Sequence, residues 1–144
     1  MKPAHVVALV DYWHTFDRRS LARIAERYAE DARFRDPFND VRGHGELHRI
    51  FAHMFDALDE PRFRIAETIY DADSNRATLI WDFDFRIRKL APHRPRRISG
   101  NSVIRFGADG RVLEHIDYWD AASELYEHLP LIGTLLRWLK RRMG

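Results

Sequence analysis

The amino-acid sequence predicts an α+β domain in which helices pack on one face of a curved, mostly antiparallel sheet. Before residue 59, apolar side chains recur at helical spacing in three segments. From residue 63 to residue 119 they alternate with polar side chains at a period of two, which is typical of half-buried strands. The 144 residues, 45% of them hydrophobic, suffice for a single domain with its own core. We place this core at residues 4–120 and a helical tail at residues 121–144.

Three helices are predicted in the first part of the chain, at residues 4–16, 21–28 and 43–58. Each has an apolar stripe at helical spacing, and the stripe of the third is the widest. Ser20 stands just before the second helix, where a hydroxyl side chain commonly accepts a hydrogen bond from a free backbone N–H group. We therefore expect Ser20 to be the N-cap of that helix.

Five strands complete the predicted core. They lie at residues 32–36, 63–70, 78–88, 98–106 and 112–119. The first ends at the step Asp36-Pro37, and the other four form an antiparallel meander. Between the last two strands, Gly107-Ala108-Asp109-Gly110 predicts a hairpin turn. The two prolines in residues 89–97 predict a loop there. The third strand alternates most regularly, and its apolar face contains Leu79, Trp81, Phe83, Phe85 and Ile87.

The tail is predicted to form a helix at residues 121–128, interrupted by Pro130, and then a second helix at residues 131–143. An apolar stripe on this last helix is accompanied by basic side chains at its end. Basic amphipathic helices can lie on membrane surfaces, but this stripe is short and its bases cluster in one turn. We therefore expect the last helix to pack on its own domain or on a partner subunit.

Composition excludes several classes of protein. The 24 basic and 22 acidic side chains are interspersed along most of the chain, so no electrostatic footprint for nucleic acid is formed. The absence of cysteine excludes disulfides and thiolate chemistry and fits a reducing cytoplasm. No apolar run reaches the ~20 residues of a membrane span, and the first residues lack a signal-peptide core. We therefore expect a cytoplasmic protein.

Asp36 is the first candidate for chemistry. Alternation along its strand places its carboxyl group on the same face as Ala32 and Phe34. A carboxyl group on the core side of a strand loses hydration, and this loss raises its pKa. Such a group can act as a general acid or base. The alternative is that Asp36 caps the turn that follows beside Pro37.

The order of elements resembles the nuclear-transport-factor-2-like superfamily, which includes ketosteroid isomerases and SnoaL-like polyketide cyclases. The resemblance covers residues 6–120 and implies a cone-shaped barrel in which the N-terminal helices pack on the concave face of the sheet. Its most specific segment is Ala29-Glu30-Asp31-Ala32-Arg33-Phe34-Arg35-Asp36-Pro37. The SnoaL-like group in particular is indicated by Glu114-His115-Ile116-Asp117-Tyr118-Trp119-Asp120.

The resemblance also implies roles for individual residues. Asp36 falls on the aspartate that moves the proton in ketosteroid isomerases, and Tyr12 falls on the tyrosine that donates to the developing oxyanion. Where that group has a protonated aspartate as second donor, this chain has Ser102, whose hydroxyl can donate one hydrogen bond. SnoaL-like cyclases use histidine and aspartate side chains of the sheet for acid–base work. Here His115 and Asp117 are two residues apart on the last strand and face the expected pocket.

From these residues we expect a small-molecule enzyme that acts on an apolar, carbonyl-bearing ligand by acid–base chemistry. The candidate catalytic residues are Asp36, Tyr12, Asp117 and His115. The candidate ligand-binding residues are Ser102, Trp119, Phe34, Trp81, Phe83 and Phe85. Proton transfer next to a carbonyl group needs only a base and an oxyanion donor, so no metal or organic cofactor is expected. His44, Glu46 and His48 lack the spacing of a known zinc site.

Two other classes of function remain open. In the first, the pocket binds a small molecule and its polar groups only orient the ligand. In the second, the protein serves in assembly through the outer face of its sheet, which in this superfamily commonly forms a homodimer. That outer face is expected to contain Asp82, Asp84, Arg86, Arg88, Ile116 and Tyr118. We expect a homodimer in either case.

Overall fold

The structure is a computed structural model that describes residues 1–88, 95–124 and 130–143. Its helices are α1 (Ala4–His14), α2 (Ile24–Arg27), α3 (His44–Ala57), α4 (Ala121–Glu124) and α5 (Pro130–Met143), with a 3-10 helix at Arg18–Arg23. Its strands are β1 (Tyr28–Arg35), β2 (Asp40–Arg42), β3 (Leu58–Asp71), β4 (Arg76–Ile87), β5 (Arg96–Phe106) and β6 (Val112–Tyr118). The predicted α+β class is confirmed.

The six described strands form one mixed sheet in the order β2-β1-β6-β5-β4-β3. The meander from β3 to β6 is antiparallel, as predicted, and β2 is an additional short strand paired with β1. β1 and β6 pair in parallel, and this pairing places Phe34 opposite His115. The sheet stays open, with β2 and β3 at its edges, so the expected barrel is not closed.

The helices cover one face of the sheet, which we call the inner face. α3 buries Leu47, Phe51 and Phe55, which belong to its predicted apolar stripe. From the sheet, the predicted alternation of β4 is confirmed, since Leu79 and Trp81 are buried. The buried residues form one continuous core of helix and sheet side chains. The site described below lies where this core is incomplete.

The predicted helix at residues 21–28 is shorter than expected, and Ser20 is not its N-cap. Asp17 caps the preceding 3-10 helix instead. Its carboxylate accepts the backbone N–H of Ser20 at 3.0 Å, and the Ser20 hydroxyl accepts the backbone N–H of Asp17 at 3.0 Å. This reciprocal cap moves the start of the helical segment to Arg18. Tyr28, expected at the helix end, is the first residue of β1.

β3 begins at Leu58, directly after α3, rather than at residue 63. Its pairing with β4 is irregular between Asp59 and Arg62, where Glu60 has a positive φ of 51°. This irregularity accommodates Pro61, which has no backbone N–H to contribute to the sheet. The predicted hairpin at residues 107–110 is confirmed, with the Gly110 N–H bonded to the Gly107 carbonyl oxygen at 3.0 Å.

The tail is described in part. α4 begins the helix predicted at residues 121–128, and residues 125–129 lie outside the described residues, as do residues 89–94 of the predicted loop. On α5, the side chains of Leu135, Trp138 and Leu139 are exposed. This part of the apolar stripe is therefore not buried on its own domain, and packing on a partner subunit remains the prediction. No helix among the described residues is long and apolar enough to cross a membrane.

Candidate functional site

A cavity of about 360 Å³ lies between α3 and the inner face of the sheet. Its wall is mostly apolar and aromatic, as is typical of sites for small molecules. The aromatic lining includes Phe34, Phe51, Phe63, Trp81, Phe83 and Phe85. The polar lining consists of Asp36, Asn39 and Asp117, together with Arg49 and His53 of α3. Few polar groups therefore face a large apolar surface.

A second, smaller space of about 30 Å³ lies deeper in the same core. It shares Phe51, Phe63, Trp81 and Asp117 with the larger cavity, and Ser102 and His115 are among its other lining residues. This space is large enough to hold a water molecule, which needs roughly 10–15 Å³. Asp117 thus stands at the boundary between a deep, narrow space and a cavity large enough for an organic ligand.

The Asp117 carboxylate is held by two neighbours in the sheet. Ser102 lies opposite Asp117 in the pairing of β5 with β6, and its hydroxyl donates to Oδ1 of Asp117 at 2.5 Å. His115, two residues earlier on the same face of β6, lies 2.7 Å from the same oxygen through Nε2. The Ser102 hydroxyl in turn accepts the indole N–H of Trp81 at 2.8 Å.

On its other side, His115 contacts Tyr28. Nδ1 of His115 lies 2.8 Å from the Tyr28 hydroxyl, which also accepts the indole N–H of Trp13 at 3.1 Å. The ring proton is assigned from these partners. If Tyr28 donates to Nδ1, the proton on Nε2 points at the Asp117 carboxylate, and every donor in the chain has an acceptor. His115 is 3% exposed, so both ring nitrogens are used inside the protein.

The phenol of Tyr28 remains protonated because burial raises its pKa well above the ordinary value for tyrosine. It can therefore serve as a permanent hydrogen-bond donor to His115. Trp13, Tyr28, His115 and Asp117 form a continuous chain of hydrogen bonds from α1 through β1 to the cavity. This chain fixes the side-chain orientation of Asp117.

Asp36 both caps a turn and lines the cavity, so the two alternatives left open by its sequence position coexist. Its Oδ1 accepts the backbone N–H of Phe38 at 2.8 Å and that of Asn39 at 2.7 Å. Burial raises the pKa of Asp36, and these hydrogen bonds oppose the rise. The negative charge of Asp117 raises it further, and the net shift is upward.

Tyr12 is buried away from this cavity. Its hydroxyl donates to the backbone carbonyl oxygen of Ser20 at 2.8 Å, and burial raises its pKa to about 12. It is not among the residues that line either space. The structure therefore brings Asp36, His115 and Asp117 together but places the Tyr12 hydroxyl against the backbone of the neighbouring 3-10 segment.

The ring of His44 is used locally. Its Nε2 donates to the backbone carbonyl oxygen of Tyr28 at 2.8 Å, and Glu46 pairs with Arg49 at 2.6 Å. Within the described ranges, no group of three or more histidine, aspartate or glutamate side chains is arranged to hold a metal ion.

The candidate ligand-binding residues fall into two groups. Phe34, Trp81, Phe83, Phe85 and Trp119 line the larger cavity. Ser102 lines only the deeper space. These residues share the inner face because alternate residues of a strand, here of β4 and β6, lie on the same side of the sheet.

Several site residues were missed by the sequence analysis. Tyr28 shares its face with Ala32 and Phe34, and all three are buried in β1. That spacing was a detectable signal, but Tyr28 also extends the apolar stripe of the preceding helix. Asn39 and Phe38 lie in a turn, where no periodicity identifies a face.

The chain is similar to known proteins in sequence pattern and in fold. The profile of the SnoaL-like domain matches residues 9–115. No curated protein matches the chain. Solved structures do match, with identities too low to show more than the fold.

Three of these structures illustrate the similarity. A protein of unknown function from Burkholderia pseudomallei, described as NTF2-like, has a TM-score of 0.72 at 20% identity, covering 85% of this chain and 95% of its own. A candidate SnoaL-like polyketide cyclase from Shewanella putrefaciens has a TM-score of 0.69 at 18% identity, with coverages of 87% and 98%. A hypothetical protein from Catenulispora acidiphila, solved in complex with trimethylamine and described as having a ketosteroid isomerase-like fold, has a TM-score of 0.69 at 18% identity, with coverages of 87% and 92%.

The sequence match covers most of the chain, and each of these three structures matches at least 85% of it. The match to residues 9–115 includes Asp36 and His115, whereas Asp117 lies just beyond it. The protein belongs to the SnoaL-like domain family and has the ketosteroid isomerase-like, NTF2-like fold.

Proposed function

We propose that the protein is a small enzyme that carries out acid–base chemistry without a cofactor on an apolar, carbonyl-bearing molecule in the cavity. The observation that carries this proposal is the asymmetry of the Asp117 carboxylate. Its Oδ1 accepts two hydrogen bonds, while Oδ2 accepts none from the described part of the chain. Because Asp117 lines the cavity, Oδ2 is the atom that exchanges a proton with the ligand.

The reaction step begins with removal of a proton from the carbon next to the ligand carbonyl. The proton moves to Oδ2 of Asp117, and the electron pair of the broken C–H bond delocalises onto the carbonyl oxygen as an enolate. Reprotonation at another carbon, or attack of the enolate on a second carbonyl group of the ligand, would give isomerisation or cyclisation. His115 and Ser102 hold the carboxylate in one orientation and are positioning residues.

The enolate oxygen needs a hydrogen-bond donor, and Asn39 can provide it. Nδ2 of Asn39 carries two N–H groups and lies 3.1 Å from Oδ1 and 3.3 Å from Oδ2 of Asp36, so the carboxylate shares one N–H between its two oxygens. The second N–H belongs to a side chain that lines the cavity. Asp36 then positions Asn39. Tyr12 and His115, the donors expected from the sequence, have their polar atoms engaged by protein groups.

The experiment measures hydrogen–deuterium exchange at the carbon next to the ketone carbonyl, with proton NMR in D₂O as the readout. A panel of enolisable aromatic and polycyclic ketones is first screened for binding by thermal shift, and the binders are then tested for loss of their α-proton signals. We expect the protein to accelerate exchange and Asp117→Asn to reduce that acceleration by about 10²- to 10⁴-fold. Asp31→Asn, on an exposed acid of β1, is the matched control.

The competing class, a ligand-binding domain without catalysis, makes a different prediction in the same experiment. Ketones would bind and stabilise the protein, yet their α-protons would exchange at the rate measured without protein. Equal exchange rates for the protein and Asp117→Asn would likewise remove Asp117 as the base.

The expected homodimer is part of this proposal. The outer face of the sheet, opposite the helices, is polar and cross-linked, for example by the Arg97–Asp84 ion pair at 2.6 Å. Tyr118 on the same face is 47% exposed and lies under the guanidinium group of Arg35. Tyrosine and arginine are both enriched in the surfaces that subunits use to associate.

A further inference from the structure

The charge of the cavity distinguishes it from a simple apolar pocket. Asp36 and Asp117 both line it, and they are neighbours because β1 and β6 pair in parallel. The last residues paired between β1 and β6 are Arg35 and Ile116, and the residue that follows each of them, Asp36 or Asp117, has a carboxyl group. Burial is the largest cause of the raised pKa of Asp36, and the negative charge of Asp117 adds to it.

Neither of the two basic residues that line this cavity in the described part of the chain pairs with Asp36 or Asp117. Of the described residues, Arg49 and His53 are the basic residues that line it. The Arg49 guanidinium pairs with Glu46 at 2.6 Å, on the exposed surface of α3. His53 is exposed on the same helix. Arg35, adjacent to Asp36 in sequence, points to the outer face, where it donates to the Tyr118 hydroxyl at 3.3 Å.

The remaining wall is aromatic on two sides. On β3 and β4, the rings of Phe63 and Phe83 stack with centroids 4.3 Å apart. Near the carboxylates, Phe38 and Trp119 meet edge to face with centroids 5.6 Å apart. The faces of aromatic rings carry partial negative charge and attract organic cations, most strongly where water is excluded.

Two carboxylates and an aromatic wall together form a site for a positively charged nitrogen. We propose that the ligand of this cavity is an organic cation, an apolar molecule that carries a tertiary or quaternary ammonium group held near Asp36, Asp117 and Trp119. The assignment rests on the proposed function only in that the ligand occupies the same cavity. If the proposed function is correct, the substrate belongs to this class of organic cations, and the apolar part of the molecule contacts the rings of β3 and β4.

Isosteric probes test the charge directly. Phenyltrimethylammonium and tert-butylbenzene have nearly the same shape, but only the first is charged. Binding of each is measured by quenching of tryptophan fluorescence, because Trp81 and Trp119 line the cavity. We expect the cation to bind at least tenfold more tightly than the neutral probe. Equal affinities, or tighter binding of the neutral probe, would overturn the proposal.

Variants locate the site. Asp117→Asn and Asp36→Asn should each reduce the preference for the cation by about tenfold or more, and the control Asp31→Asn should leave it unchanged. A preference that survives in both site variants places the cation elsewhere and overturns the proposal. Because Asp36 caps a turn, its variant is first checked for native fold by circular dichroism.

A measurement on the unaltered protein keeps the proposal testable if the variants unfold. A bound cation stabilises ionised carboxylates, so phenyltrimethylammonium should lower the pKa of Asp36, followed by carboxyl ¹³C NMR. No change in that pKa at a saturating concentration contradicts the proposal. If the cation binds but the protein does not accelerate deuterium exchange, only the enzymatic function is contradicted. If the protein accelerates exchange but shows no preference for the cation, only the ligand class is contradicted.

Discussion

His115 and Asp117 stand two residues apart on β6 and are joined by a hydrogen bond of 2.7 Å between Nε2 and Oδ1. The same histidine meets Tyr28, 87 residues away in sequence, through its other ring nitrogen. The orientation of a carboxylate at the cavity is thereby tied to a buried phenol in another strand.

Tyr28→Phe should destabilise the protein by about 1–3 kcal/mol, because it leaves the buried Trp13 N–H and Nδ1 of His115 without their partner. Urea unfolding measures the change. The matched control is Tyr118→Phe, on an exposed tyrosine, which should change the free energy of unfolding by less than about 0.5 kcal/mol. Equal effects of the two substitutions would contradict a buried hydrogen-bond chain.

Gly100→Ala should destabilise the protein by about 1–3 kcal/mol through overpacking. A Cβ atom at this position would lie 2.7 Å from the carbonyl oxygen of Tyr118 and 2.9 Å from the Trp81 ring. Gly45→Ala in the first turn of α3 is the control, since nothing lies within 4 Å of its added Cβ. We expect that control to stabilise the protein by about 0.5–1 kcal/mol in the same unfolding experiment.

Asp117→Asn should lower the pKa of Asp36, because it removes the neighbouring negative charge that contributes to the raised value. Carboxyl ¹³C NMR across a pH titration measures the change, with Asp31→Asn as control. If the pKa of Asp36 rises or stays the same in Asp117→Asn, the two carboxylates are not coupled.

The raised pKa of Asp36 also predicts how its contribution to the free energy of unfolding changes with pH. The folded state binds this proton more tightly than the unfolded state, whose aspartate titrates near its ordinary value of about 3.9. Its contribution to stability is therefore fully present below that value and is lost as pH rises through the folded pKa. Relative to Asp36→Asn, the unaltered protein should lose stability as pH rises above about 4. A relative gain over that interval would contradict the upward shift.

Light scattering at micromolar concentration should give the mass of a homodimer. Tyr118→Glu, which places a charge on the exposed outer face, should shift the mass toward that of the monomer. Val7→Glu on the exposed side of α1 is the control and should leave the dimer intact. A monomeric mass for the unaltered protein would rule out the dimer.

The sheet could be predicted from the sequence because its apolar residues alternate over long strands. Trp81 and Phe85 were assigned to the inner face by that alternation, and both are buried there. The start of the second helical segment could not be predicted, since Asp17 and Ser20 are both good caps and only their reciprocal hydrogen bonds decide between them. The local sequence does not distinguish between these two caps.

The candidate site was predictable only where it lies on strands. The shared face of His115 and Asp117 follows from their spacing of two. The position of the Tyr12 hydroxyl depends on which backbone carbonyl it meets, and that carbonyl belongs to the 3-10 segment whose start was misplaced. Asn39 lies in a turn held by Asp36, so its proximity to the cavity is a tertiary property.

The parallel pairing of β1 with β6 has a consequence for biosynthesis. β1 leaves the ribosome early, yet one of its edges stays unpaired until residues 112–118 have been translated. A nascent chain that stops before β6 therefore has neither the β1–β6 pair nor Asp117. Because such distant contacts close large loops, formation of this strand pair is expected to be a late event in folding.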